Sequence, residues 1–412
     1  MKTAGRSDGR TAGDSDSSRD HLPSYRHTVL PSYDVAALRQ TEFPWAASHI
    51  FLNHASTGPL PERSRRAVMD FTNRRGSMHG LLDDELQGIL VKARGQAARL
   101  INASVEEIAL ATNTSFGLNL AARMLPFRSG DVVLVSDGEF PANVFPWKHL
   151  GDRGVTMELL PVTRSGWPDQ ALMIERMQDP RVRALAVSHV QFHTGYRVDL
   201  ARLGEAARAT RTYLVVDSIQ ALGQLPFDVR ETPVDILACG GQKWLLSPWG
   251  SGFMYVRKEL IGELVSPLAG WSAYQGTENF TTLCDYRGTL RNDARRYELV
   301  TLPFQDLLGF CHSLELLDEL GIDRIRDHLA AIGKPVLEWA RHKGVSLISP
   351  AGENGSGMIC LGAERLPGAV PALKQAGVTL SLREGALRLA PHCYNTLEEM
   401  VRVTELLDAI SS

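Results

Sequence analysis

The 412-residue sequence predicts an α/β protein, with a mostly parallel sheet flanked by helices and a small α+β domain at the carboxyl end. Three observations predict it. Between about residues 107 and 243, short β-branched runs such as Val132-Val133-Leu134-Val135 and Leu214-Val215-Val216 alternate with helical segments such as 200–210, the pattern of crossover-connected parallel strands. From about residue 304 the pattern changes to two long helical segments followed by short strands. The length, with 44% hydrophobic and 22% charged residues, exceeds the usual size of one domain. A tail over 1–24, a large domain over 25–303 and a small domain over 304–412 are therefore expected.

Composition narrows the function classes. A net charge of −3 and a pI near 6.5 leave no electrostatic footprint for nucleic acid or an anionic membrane, which favours a small-molecule partner. The five cysteines, Cys239, Cys284, Cys311, Cys360 and Cys393, are scattered and form no C-x-x-C pair. Neither a disulfide framework nor a metal site is expected, and a reducing cytoplasm suits them. No apolar run approaches the roughly 20 residues of a membrane span, and the amino terminus lacks the apolar core of a signal peptide. A soluble, cytoplasmic protein is expected.

Taken in order, residues 1–24 are rich in Ser, Asp, Gly and Arg and have too few large apolar side chains to offset the entropy of ordering, so disorder is expected there. Residues 50–61 read as a short strand running into a Gly/Pro turn, and helices are expected over 62–75 and 83–102. Residues 107–120 read as strand, turn and helix start. Backbone N–H groups at that start, with the hydroxyls of Thr114 and Ser115, form a potential anion site. A strand over 131–137 leads to Gly138-Glu139-Phe140, and one over 183–190 leads to Gln191-Phe192-His193. His189 and His193 are read as structural, because spacing alone does not aim them at a ligand.

The chemistry concentrates at two strand ends. Residues 212–217 form a β-branched and aromatic strand ending in Asp217; residues 235–239 form an apolar strand ending at Gly240-Gly241, with Lys243 before a Ser-Pro break. A lysine delivered from a core strand is partly desolvated, which lowers its pKa and suits it to form a Schiff base with a carbonyl. An aspartate at the neighbouring position can hold the protonated pyridine nitrogen of pyridoxal phosphate.

Asp217-Ser218-Ile219-Gln220 followed by Gly240-Gly241-Gln242-Lys243-Trp244 resembles the class V aminotransferase family of fold type I pyridoxal-phosphate enzymes, and the motifs run in family order from about Phe51 to the carboxyl terminus. The family includes cysteine desulfurases, isopenicillin N epimerase-like proteins and kynureninase relatives. The resemblance implies a seven-stranded-type sheet, pyridoxal 5'-phosphate as cofactor and an amino-acid substrate. It implies phosphate contacts from Thr114, Ser115 and Gln242, a ring-stacking Phe140, and contacts from Gln191 and Gln220 to the cofactor's phenolic oxygen. Thr301 would reach the phosphate of a neighbouring subunit, so a homodimer with shared sites is implied, and Gly270-Trp271 would lie near the same entrance. Ala55 and Ser56 would lie close to the substrate, His54 beside them is either a substrate contact or a hydrogen-bonded structural histidine near the turn, and Arg388 would grip the substrate carboxylate.

Three departures from the desulfurases stand out. Phe140 occupies the place of a stacking histidine, and a phenyl ring cannot move protons. Gly240 and Gln242 replace a serine and a histidine. Only Glu384-Gly385-Ala386-Leu387 separates Arg383 from Arg388, where a desulfurase has the loop that presents its sulfur-accepting cysteine. Cys393 lies beyond Arg388 and reads as a packed small residue. The expected activity is that of an aminotransferase or a C–S lyase acting by β-elimination, with an amino-acid epimerase as the alternative.

Overall fold

The computed structural model describes residues 33–77, 80–366 and 368–411; the expected disordered tail lies outside them. Among the described residues, twelve strands are numbered in chain order. The first is β1 (Ile50–Phe51), followed by β2 (Ile108–Leu110), β3 (Val132–Ser136), β4 (Thr156–Leu160), β5 (Val182–Ser188), β6 (Tyr213–Asp217), β7 (Ile236–Gly240) and β8 (Gly252–Val256). After the long helices come β9 (Ile359–Gly362), β10 (Val378–Thr379), β11 (Ser381–Arg383) and β12 (Ala386–Leu389).

Seven strands form one sheet in the order β2-β8-β7-β6-β5-β3-β4. Strands β7, β6, β5, β3 and β4 run parallel, while β8 and β2 are antiparallel to their neighbours. The mostly parallel α/β sheet expected from the sequence is thus present. Every residue of β3 and β7 is buried, as befits strands covered on both faces, whereas edge strand β4 is partly exposed. The parallel register sets Ser188 beside Asp217 and Asp217 beside Ala238, so the carboxyl ends of β5, β6 and β7 lie together.

Strands β4 and β8 have no counterpart in the sequence reading. The antiparallel β8 lets the chain return from β7 through a short connection instead of a crossover helix, and Lys243 sits in that connection. Gly240 and Gly252 face each other across the pair. A Cβ at Gly252 would come 2.5 Å from the Cys239 carbonyl oxygen, so this close pairing requires glycine. The strand expected over 345–348 is reduced to a single bridge between Leu347 and Leu361.

The amino-terminal segment crosses to the carboxyl-terminal strands: Ile50 and Phe51 pair in parallel with Val378 and Thr379, and Asn53 bridges Ala390. We propose that a large and a small domain meet at residue 303. Helix Phe304–Leu320 packs on both helix Glu62–Gly76 and helix Asp83–Leu100.

One buried ion pair fixes the segment leading to Thr301. Arg94 Nη2 donates to Glu298 Oε1 at 2.7 Å, and the same oxygen accepts the Leu110 N–H at 2.9 Å. Burial pushes the Glu298 carboxyl up, with Arg94 opposing. Removing one partner leaves the other charge uncompensated. Arg94→Met should cost about 3 kcal/mol in urea unfolding, and adding Glu298→Gln should recover part of it; an unchanged midpoint for the single variant would contradict this role.

Candidate active site

The site grows from the aligned ends of β5, β6 and β7. Asp217 closes β6 and is 3% exposed, with Oδ1 accepting the Ile219 N–H at 3.0 Å. Burial pushes its carboxyl up to about 7, opposed by the Ile219 N–H and by the positive charge of Lys243. Lys243 follows β7, and the same desolvation brings its amine down to about 8 against the pull of Asp217. Acid and amine therefore titrate in nearly the same range, and a substantial share of Lys243 is neutral at moderately alkaline pH. Lys243 Nζ lies 5.5 Å from the Phe140 ring centroid, and that ring sets its edge against Phe192 with centroids 5.3 Å apart.

The lysine segment is braced on three sides. Gly58 N–H donates to the Gln242 carbonyl at 2.8 Å, and a Cβ at Gly58 would stand 2.2 Å from the Lys243 carbonyl oxygen. Gln220 Nε2 donates to the Ala55 carbonyl at 2.9 Å while its Oε1 accepts Trp244 Nε1–H at 2.8 Å. His392 Nδ1 accepts the Cys393 N–H, leaving Nε2–H to donate to the Trp244 carbonyl at 2.9 Å.

These contacts extend one sequence expectation and correct another. Gln220 braces Ala55 against Trp244 with its oxygen and one N–H, and neither contact uses its second N–H, which is the donor the cofactor reading needs. His54 does not reach the substrate. It is 0% exposed, with Nδ1–H donating to the Ala390 carbonyl at 2.7 Å and Nε2 accepting from the Tyr394 hydroxyl at 2.8 Å. Burial first, then neighbouring His392, holds its pKa well below the usual range.

A cradle lies between the end of β7 and the start of helix Thr114–Met124, whose N-cap Asn113 accepts the Phe116 N–H at 2.8 Å. Thr114 Oγ1 accepts the Gly240 N–H at 2.8 Å, which leaves its own proton free to be donated. A Cβ at Gly240 would meet Gln242 Oε1 at 2.6 Å, Thr114 Oγ1 at 3.2 Å and Thr114 N at 3.3 Å. The absent side chain keeps this space open beside helix N–H groups, and Ser115 follows, exposed. Such a cradle fits a phosphate.

Gln191 Nε2 donates to Glu139 Oε1 at 2.7 Å, and Gln191 Oε1 is buried without a partner. Glu139 went unnoticed in the sequence: buried, it accepts from the Ser188 N–H at 2.7 Å, from the Ser188 hydroxyl and from Asn143 Nδ2 at 3.1 Å, and desolvation raises its pKa. Its only sequence signal is its position after the Gly138 turn.

At the small-domain side, Arg388 is 2% exposed. Its Nη1 donates to the Phe192 carbonyl at 2.6 Å, Nη2 to Ser56 Oγ at 2.8 Å and Nε to Ser381 Oγ at 3.3 Å. Burial brings the guanidinium down to about 10. Ala55 is buried beside Ser56. Thr301 is exposed.

The sequence pattern of the family described as Aminotransferase class-V matches residues 50–402. The chain belongs to the class-V aminotransferase family. It is a pyridoxal-phosphate-dependent enzyme, and the phosphate cradle, the buried acid and the depressed lysine fit that group. The chain is 32% identical to the uncharacterized aminotransferase YcbU of Bacillus subtilis, over 87% of this chain and 93% of that protein. It is 31% identical to isopenicillin N epimerase of Amycolatopsis lactamdurans, over 87% and 94%. Its fold is similar to that of a cysteine desulfurase from Thermococcus onnurineus, with a TM-score of 0.80 at 21% identity over 91% of this chain and 98% of that one.

The amine of Lys243 yields a pH prediction for the cofactor-free enzyme. Desolvation disfavours the ammonium, so covalent capture of pyridoxal phosphate should reach half its maximal rate near pH 8 and not near the ordinary lysine value of 10.5. Asp217 raises the lysine pKa, so Asp217→Asn should move the midpoint to lower pH; an upward movement would refute the coupling.

Proposed function

We propose that the enzyme acts on the α-amino group of an amino acid, as an aminotransferase and, for substrates carrying a β-sulfur substituent, as a C–S lyase. The observation that supports this most is Arg388. A guanidinium this deeply buried, with no carboxylate of the described residues as counter-ion, leaves a charge for a ligand anion to satisfy.

Pyridoxal phosphate supplies a carbonyl carbon for the substrate amine and a ring that takes up electrons released at Cα. The residues of this chain do the rest. Arg388 and Ser56 hold the substrate carboxylate and so fix which Cα bond faces the lysine. Asp217, dry and close to neutral-pH titration, would hold the proton of the pyridine nitrogen. Lys243 Nζ is the base that takes the Cα proton, and the low polarity around it keeps it partly unprotonated. Phe140 would stack on the cofactor ring without competing for that proton. Thr114, Ser115 and Gln242 would hold the phosphate, and Gln191, whose second N–H is not used by Glu139, would donate to the phenolic oxygen.

The hairpin argues against persulfide chemistry. Strands β11 and β12 are joined through Glu384-Gly385 alone, with no cysteine in the turn, and Cys393 is 0% exposed with its thiol pushed up by burial. Epimerisation is the second reading. It is favoured by His193, whose Nδ1 is buried without a partner and whose pKa burial lowers, and by the relative named isopenicillin N epimerase. We also infer a homodimer in which Thr301 serves the neighbouring copy, because Trp271, Phe280 and Tyr286 are exposed on the same stretch of chain at 46%, 53% and 87%.

Mixing the holoenzyme with single L-amino acids, with no keto acid present, should convert the cofactor absorbance to that of its amine form with at least one donor. Return of the original absorbance with solvent deuterium at Cα would establish epimerisation instead. Arg388→Met should raise KM for that donor about 100-fold, the scale of a charge-assisted pair. The protein should sediment at twice its 45.3 kDa chain mass; a monomer would exclude a shared site.

A further inference from the structure

The hairpin of β11 and β12 carries a second cation that this scheme does not use. Ser381 pairs with Arg388 and Arg383 pairs with Ala386, so by two-residue alternation Ser381, Arg383 and Arg388 project from one face. The chain reverses between the strands through Glu384 at φ 46° and Gly385 at φ 75°, two left-handed residues of the kind that close the tightest hairpins. This turn sets the two arginines at diagonal positions about 7–8 Å apart at the backbone, within reach of each other's long side chains.

Both guanidinium groups converge on one hydroxyl. Ser56 Oγ accepts from Arg388 Nη2 at 2.8 Å and lies 3.4 Å from Arg383 Nη2. The remaining hydrogen bond of Arg383 goes to the Leu382 carbonyl at 2.8 Å. Among the described residues neither arginine is paired with an acid, not even with Glu384 beside the turn. Arg388 is buried and Arg383 is exposed, and the positive charge of each reaches Lys243. Two like charges on one hairpin face repel unless an anion joins them.

We propose that Arg383 binds a second carboxylate on the substrate, so that the enzyme selects a dicarboxylic amino acid whose α-carboxylate sits on Arg388. The reading deepens the proposed function and rests on its assignment of Arg388. A monocarboxylate brings one negative charge to two guanidinium groups. A chain with an acidic group two or three carbons from the first can span both, and its amide analogue offers only a neutral oxygen there. Selection should therefore depend on charge and not on side-chain length.

Calorimetry on the holoenzyme tests this with ligands that have no amine and cannot react. Glutarate should bind at least about tenfold more tightly than butyrate, a difference of one charged contact. Arg383→Met should abolish that difference, and Arg383→Lys should restore part of it. In turnover, the ratio of kcat/KM for L-glutamate over L-glutamine, or for L-aspartate over L-asparagine, should exceed ten in the wild type and fall near one in Arg383→Met. Equal binding of glutarate and butyrate, or a preference that survives Arg383→Met, overturns the proposal. So does a variant in which acid and amide substrates lose activity in the same proportion. If neither acid binds the wild type, the assignment of Arg388 itself falls, whereas butyrate binding with no gain for glutarate leaves that assignment standing.

Discussion

Desolvation at two neighbouring strand ends is the constraint on which the rest of the site depends. Burial raises the pKa of Asp217 and lowers that of Lys243, and each charge partly restrains the shift of the other. The outcome is an acid and an amine that burial has moved toward each other and toward neutral pH. Neither group would behave this way at a wet strand end. The flanking helices that cover both faces of the sheet therefore shape the chemistry as well as the fold.

Desolvated groups have to be held in place. The connection after β7 has little regular structure, yet carbonyls at Gln242, Lys243 and Trp244 are each met by another part of the chain: Gly58 closes on the first two and His392 bonds the third. Gln220 links this connection to Ala55, next to the serine that meets Arg388. Lysine, carboxylate grip and amino-terminal segment are thus tied into one scaffold, which is what positioning a reacting carbon requires. The short antiparallel return through β8 adds to this by keeping the connection between Gly240 and Gly252 brief.

Much of this was legible in the sequence, and the exceptions share a cause. Asp217 and Lys243 could be read because apolar runs ending in charged residues mark strand ends, and Thr114 because hydroxyl residues start helices. Arg388 was read through resemblance, and nothing in its local pattern showed that it lacks an acidic partner. The partners of His54, Ala390 and Tyr394, are brought to it by tertiary folding, so its local pattern does not show that both ring nitrogens are taken. Glu139 escaped notice for the same reason, since Ser188 and Gln191 reach it from another strand. Strand β8 was missed because its apolar run follows the lysine segment too closely to suggest a separate element.

We propose that Lys243, at the end of β7, is the residue that holds the cofactor. Borohydride reduction of the holoenzyme followed by peptide mass mapping tests it most directly. A phosphopyridoxyl group is expected on the peptide containing Lys243 and on no other lysine peptide. A modification at a different lysine, or cofactor released unreduced from a fully active enzyme, would contradict it.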